Sequence, residues 1–114
     1  MAKIAFWITA GPDLKEKALA GVVLAGRLKK NRRQDVEVYF FGPGVALAGQ
    51  AAQDPQLKEI FTQLFDSQAP VGVCPFNAEQ YGVKDLLASN GYRMEPAGEA
   101  LVRLVEQGYQ VIGY

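Results

Sequence analysis

The sequence predicts a three-layer α/β/α sandwich with a mainly parallel sheet of about five strands, forming a single domain over residues 1–114. Three observations carry that prediction. Short β-branched or aromatic runs alternate along the chain with longer segments of helical period. Strand–helix–strand repetition implies parallel strands joined by right-handed crossovers, with helices on both faces. Runs such as Ile4-Ala5-Phe6-Trp7-Ile8 are apolar at every position, as expected for a strand covered on both sides. At 114 residues and 49 % apolar composition, the chain fits one domain that buries about two thirds of its unfolded surface.

Each element has its own local reason. Residues 4–8 read as the first strand. Residues 14–30 read as a helix, with Asp13 placed to cap its start and Arg27, Lys29 and Lys30 near its negative end. Val36-Glu37-Val38-Tyr39-Phe40-Phe41 reads as a second strand, rich in β-branched and aromatic residues. Gly42-Pro43-Gly44 ends it in a tight strand-to-helix turn. Residues 55–65 carry Leu57, Ile60, Phe61, Leu64 and Phe65, the stripe of an amphipathic helix, behind an Asp54-Pro55 cap.

Val71-Gly72-Val73 reads as the third strand. Pro75 suits the first position of a short helix, which makes Cys74 its cap residue. A short helix over 83–88 stops at Asn90-Gly91. Tyr92-Arg93-Met94 reads as a short fourth strand, residues 99–107 as a helix stopped by Gly108, and Tyr109-Gln110-Val111-Ile112 as the last strand.

Composition excludes several function classes. Twelve basic residues balance twelve acidic ones, so no net field recruits nucleic acid or an anionic membrane. The basic run over residues 27–33 suits a solvated helix end and has no interleaved aromatics for nucleic-acid stacking. No histidine is present, which removes Ser-His-Asp, Cys-His and zinc-hydrolase chemistry from a single chain. A lone cysteine forms no internal disulfide. No signal peptide or membrane span is legible, so the expected location is the cytoplasm. Gly42-Pro43-Gly44-Val45-Ala46-Leu47 begins like a dinucleotide fingerprint, but Leu47 stands where the third glycine belongs, and no phosphate-loop ending follows.

In parallel α/β sheets, ligands bind beyond the carboxyl ends of the strands. That rule gathers four loops on one edge: Thr9-Ala10-Gly11-Pro12, Gly42-Pro43-Gly44, Cys74-Pro75-Phe76-Asn77 and the turn at Glu95-Pro96. Cys74 stands out among them. As a cap residue, its sulfur would face the amides of Phe76 and Asn77, and a positive helix end favours thiolate over thiol. The other reading is a small buried hydrophobe, the usual fate of a free cysteine.

These residues resemble the DsrE/DsrF-like family of sulfur-relay proteins. The likeness rests on Lys3-Ile4-Ala5-Phe6-Trp7, on residues 38–45 (VYFFGPGV), on Val71-Gly72-Val73-Cys74 with Asn77 and Gly82 downstream, and on Gly108-Tyr109-Gln110-Val111-Ile112. It spans essentially the whole chain. The resemblance implies a parallel α/β/α sandwich that assembles as a homo-oligomer, a trimer or a hexamer. It implies a persulfide carried on Cys74, passed from a sulfur donor protein to an acceptor, with no cofactor and no metal.

The expected site is Cys74, partly reachable and more acidic than a free cysteine. It would sit in a pocket lined by Gly11, Gly42 and Gly44, whose amides steady the sulfur anion, with Phe76 and Asn77 alongside. The alternative is a non-catalytic oligomeric binding or regulatory module of the same fold. Assembly has an independent signal: residues 18–26 carry no charge over about two and a half turns, and Leu19, Val22, Val23 and Leu24 together cover more than half the helix circumference.

Overall fold

The computed structural model describes residues 1–114 and contains one five-stranded parallel sheet. In chain order the strands are β1 (Lys3–Ile8), β2 (Asp35–Phe40), β3 (Val71–Val73), β4 (Arg93–Met94) and β5 (Gln110–Gly113). The helices are α1 (Lys15–Lys30), α2 (Pro43–Ala51), α3 (Pro55–Asp66), α4 (Pro75–Gln80), α5 (Lys84–Ser89) and α6 (Ala97–Glu106). The spatial order is β4-β3-β2-β1-β5. The chain therefore steps outward from β1 to β4 and then recrosses the sheet to place β5 on the far side of β1.

That reversal sorts the helices. A right-handed crossover running in the opposite direction puts its helix on the opposite face. Helices α1 to α5 share one face, where Ala18, Val22, Leu47, Leu57, Phe61, Leu64, Ala78 and Leu87 pack on Phe6, Ile8, Val36, Val38, Phe40, Val71 and Val73. Helix α6 lies on the other face, where Ala100 joins Tyr39 and Cys74. Strand periodicity assigns residues to faces: Phe40 and Val73 are in register and share the first face, while Tyr39 and Gly72 share the second.

The strands and most helices fall within one or two residues of the sequence expectation. Asp54 caps α3 as expected, its Oδ1 accepting from Gln56 N at 2.9 Å and Leu57 N at 3.4 Å. Asp13 does not cap α1. Pro12–Leu14 forms a turn of 3-10 helix, which places Asp13 inside the turn and leaves Leu14 as the cap residue, without a side-chain hydrogen bond. Strand β2 ends at Phe40, and Phe41 keeps one bond to β1, its N–H donating to Ile8 O at 3.0 Å. Helix α2 begins inside the glycine turn, at Pro43, and runs nine residues to Ala51. Its Val45, Leu47, Ala48, Gly49 and Ala51 are buried on several sides, so it carries little of the amphipathic period by which a helix is read.

Helix α1 settles the uncharged stretch 18–26 largely within the fold. Ala18, Gly21, Val22 and Ala25 are buried, Leu19 and Val23 are half-buried, and Leu24 alone among its large apolar residues is exposed. No helix is long and apolar enough to cross a membrane.

Candidate functional site

Cys74 sits at the carboxyl end of β3, beside the carboxyl end of β4. The Glu95 N–H donates to Val73 O at 3.3 Å across that boundary. The loop after β3 leads to α4 on the first face, and the loop after β4 leads to α6 on the second. Adjacent strands whose connections leave to opposite faces form the switch point at which sheets of this class bind ligands. The topology alone thus singles out the position of Cys74.

The local chain places the thiol on the second face. Cys74 is the N-cap residue of α4 with extended backbone, φ −72° and ψ 116°. Its N–H donates to Phe40 O at 3.2 Å, so it prolongs the β2–β3 ladder by one residue. Its side chain makes no cap hydrogen bond, contrary to the expected approach of the sulfur to the Phe76 and Asn77 amides. It turns instead into a small cluster with Tyr39 and Ala100, against which Trp7 and Ala97 pack. Cys74 is 4 % exposed. The expectation of a partly reachable thiol is therefore not met in this conformation, because α6 completes the cluster around it.

Tyr39 brings a hydroxyl-bearing ring into this cluster. Its ring lies over Gly72, where an added Cβ would come within 3.1 Å of Tyr39 Cδ1, and Trp7 stacks on it at 4.4 Å between centroids. Its hydroxyl donates to Glu95 O at 2.7 Å. Burial above all, and then Cys74 and the Glu95 carboxylate, hold its phenol well above the usual value of 10.0. Tyr39 therefore stays protonated beside the sulfur.

Behind this cluster runs an ion-pair network. Arg103 of α6 bonds Glu95 through Nε and Nη2, each at 3.0 Å, and Glu37 of β2 through Nη2 at 2.9 Å and Nη1 at 3.2 Å. Arg93 adds a bond to Glu37 at 2.9 Å. Glu37 is 8 % exposed. Burial pushes its carboxyl up, but hydrogen bonds and charge from Arg103 and Arg93 outweigh burial and hold it below the usual carboxylate range. The two arginines balance the two carboxylates, which is how a charge survives inside a sheet.

The other expected residues divide into two groups. Gly42, with φ +58°, donates its N–H to Asn77 Oδ1 at 2.8 Å, and Asn77 Nδ2 reaches Gln80 Oε1 at 3.2 Å. Asn77 therefore ties the β2–α2 turn to α4. Phe76, beside it, is 69 % exposed. Gly11 and Gly44 lie elsewhere. A Cβ on Gly44 would meet Ile8 O at 2.2 Å, and one on Gly11 would meet Pro43 Cβ at 2.6 Å. Both permit close packing of the β1 and β2 ends. Gly11 and Pro43 line a cleft with Thr9, Pro12, Lys17 and Tyr114 that does not include Cys74. The single glycine-lined pocket expected around the sulfur is not formed: Gly11 lines a cleft without Cys74, and Gly44 packs against the backbone of Ile8.

Tyr39, Glu37 and Arg103 were not singled out by the sequence, and Glu95 only as part of the turn expected at the sheet edge. One signal was available: Glu37 is a charge within an otherwise apolar strand, and such a residue requires a counter-ion. No cluster of three or more His, Cys, Asp or Glu side chains is placed to hold a metal.

The model of the DsrE/DsrF-like family matches residues 2–114. The chain belongs to that family. No curated protein matches the sequence. Solved structures share its fold, among them the following two. A conserved protein of unknown function from Bacteroides thetaiotaomicron superposes with a TM-score of 0.76 at 19 % identity, over 96 % of this chain and 94 % of that one. The ychN protein from E. coli superposes with a TM-score of 0.75 at 16 % identity, over the whole of both chains. This DsrE/DsrF-like chain therefore keeps the whole architecture at low sequence identity.

Proposed function

We propose that this protein is a sulfur carrier that holds a persulfide on Cys74 and passes it to a partner protein. The observation that supports it most is placement: the only cysteine of a DsrE/DsrF-like chain stands at the switch point of the sheet. The chemistry needs no histidine and no metal. The Cys74 thiolate attacks the sulfane sulfur of a donor persulfide, forming Cys74–S–SH and releasing the donor thiolate. An acceptor thiolate then attacks the terminal sulfur and releases the Cys74 thiolate. The acid–base inventory of the chain is compatible with that pair of exchanges, which require only ionised sulfur.

Cytoplasmic location and a homo-oligomer, a trimer or a hexamer, belong to the same proposal. The exposed Leu24 of α1 is apolar surface available to such assembly. Light scattering at micromolar concentration checks it, and a monomer contradicts it.

The burial of Cys74 favours a second reading, a non-catalytic binding or regulatory module in which the thiol is core. Cyanolysis separates the two. After incubation with a persulfide donor and removal of excess, cyanide should release about one thiocyanate per chain from the wild type and none from Cys74→Ser. No thiocyanate from either would favour the second reading.

A further inference from the structure

We infer that α6 is a lid over Cys74, latched by Arg103, and that the thiol becomes reachable through local displacement of this helix. The inference rests on the carrier reading for its purpose but not for its evidence. A carrier must present its sulfur, and Cys74 is closed in this conformation. Of the four residues packed around Cys74, Trp7 and Tyr39 belong to β1 and β2, and only Ala97 and Ala100 come from a helix. Removing α6 opens the cluster without disturbing the sheet.

The helix is lightly attached. Its wholly buried side chains are Ala100 and Leu104. Leu101, Val102 and Val105 face solvent, so much of its apolar character contributes nothing to holding it down. Its main packing is along the adjoining β5, itself an edge strand with little buried surface. What ties it to the centre of the sheet is Arg103, bidentate to Glu37 and Glu95. Lys3 Nζ of β1 also donates to the carbonyl of Gln107, the cap residue of α6, at the far end of the helix from Cys74. A segment with few buried apolar contacts and few polar anchors opens at a lower free energy than the global fold. The main core on the other face remains intact when it does.

Alkylation of Cys74 by iodoacetamide in the native state, normalised to the denatured chain, tests this. The wild type should react slowly. Arg103→Met should react at least about tenfold faster, and Arg103→Lys should fall between. Arg93→Met removes a partner of Glu37 without touching α6, and should stay within about twofold of the wild type.

Equal acceleration in the two methionine variants would overturn the lid, because it would report general destabilisation. Hydrogen exchange of the wild type gives a second measurement. Amides of residues 101–106 should exchange well before those of β2 and β3, and exchange of all three together would refute the inference. Sulfur loading is scored separately. A lid that opens onto a thiol that never loads refutes the carrier and keeps the lid. A thiol that loads equally fast with the latch intact or broken refutes the lid and keeps the carrier.

Discussion

On one face of the sheet, five helices and three strands share a core of 22 buried residues. On the other, Tyr39, Cys74 and Ala100 form a cluster of three, bordered by Glu37, Arg93, Glu95 and Arg103. The first face draws its stability from apolar area removed from water, which scales with what is buried. The second depends on a few directed polar contacts, each strong only while its partners stay in place. The contrast assigns the two faces different work. A thick apolar layer holds β1, β2 and β3 in register, and in the proposed account the thinner layer carries the thiol and its α6 cover.

Substitutions on the two faces should separate these roles. The largest loss is expected at Phe40, fully buried between Phe61 and Tyr92. Phe40→Ala should lower unfolding free energy by about 3–5 kcal/mol, read by urea denaturation. A loss of under about 1 kcal/mol would break the comparison at its stronger end.

Next is the polar face. Arg103→Met leaves Glu37 and Glu95 facing each other with Arg93 alone, and should cost about 3 kcal/mol at neutral pH. The same network sets a pH dependence. The Glu37 carboxyl titrates below its usual 4.5 in the folded chain, so its contribution is present above that value and is lost as pH falls through the lower folded value. Urea denaturation across pH 7 to about pH 3 should show wild-type stability falling in the acid range, and Glu37→Gln should flatten that fall. An unchanged acid limb in the variant would remove Glu37 from the account.

A smaller effect is expected at Gly72, where an added methyl meets the Tyr39 ring at 3.1 Å. Gly72→Ala should cost about 1–2 kcal/mol and loosen the stack of Tyr39 on Trp7, visible as a change in Trp7 fluorescence. The smallest is Cys74→Ser, expected at about 1 kcal/mol with fold and assembly retained.

The same contrast explains what the sequence made legible. Strands β1, β2 and β3 announce themselves because both faces are covered, and α3 because its Leu57, Phe61 and Leu64 keep strict period on one side. Helix α2 escapes because it is apolar nearly all round. The position of Cys74 at a strand end and before a helix was readable from Val71-Gly72-Val73 and Pro75. Its closure was not, since nothing local to residues 71–82 says that Ala97 and Ala100 return across the sheet to cover it. Asn77 was legible as a site neighbour, but its bond to the Gly42 amide depends on a turn 35 residues earlier. The latch joins residues 8 and 66 positions apart, and only the lone charge of Glu37 hinted at it.

Intact-mass spectrometry tests the central claim most directly. The wild-type protein is incubated with a persulfide donor, desalted and weighed beside Cys74→Ser. The account predicts a wild-type species heavier by one sulfur atom, located on Cys74 by peptide mapping, reversed by a reducing thiol and absent from the serine variant. A wild-type mass unchanged under conditions in which iodoacetamide does reach Cys74 would contradict it.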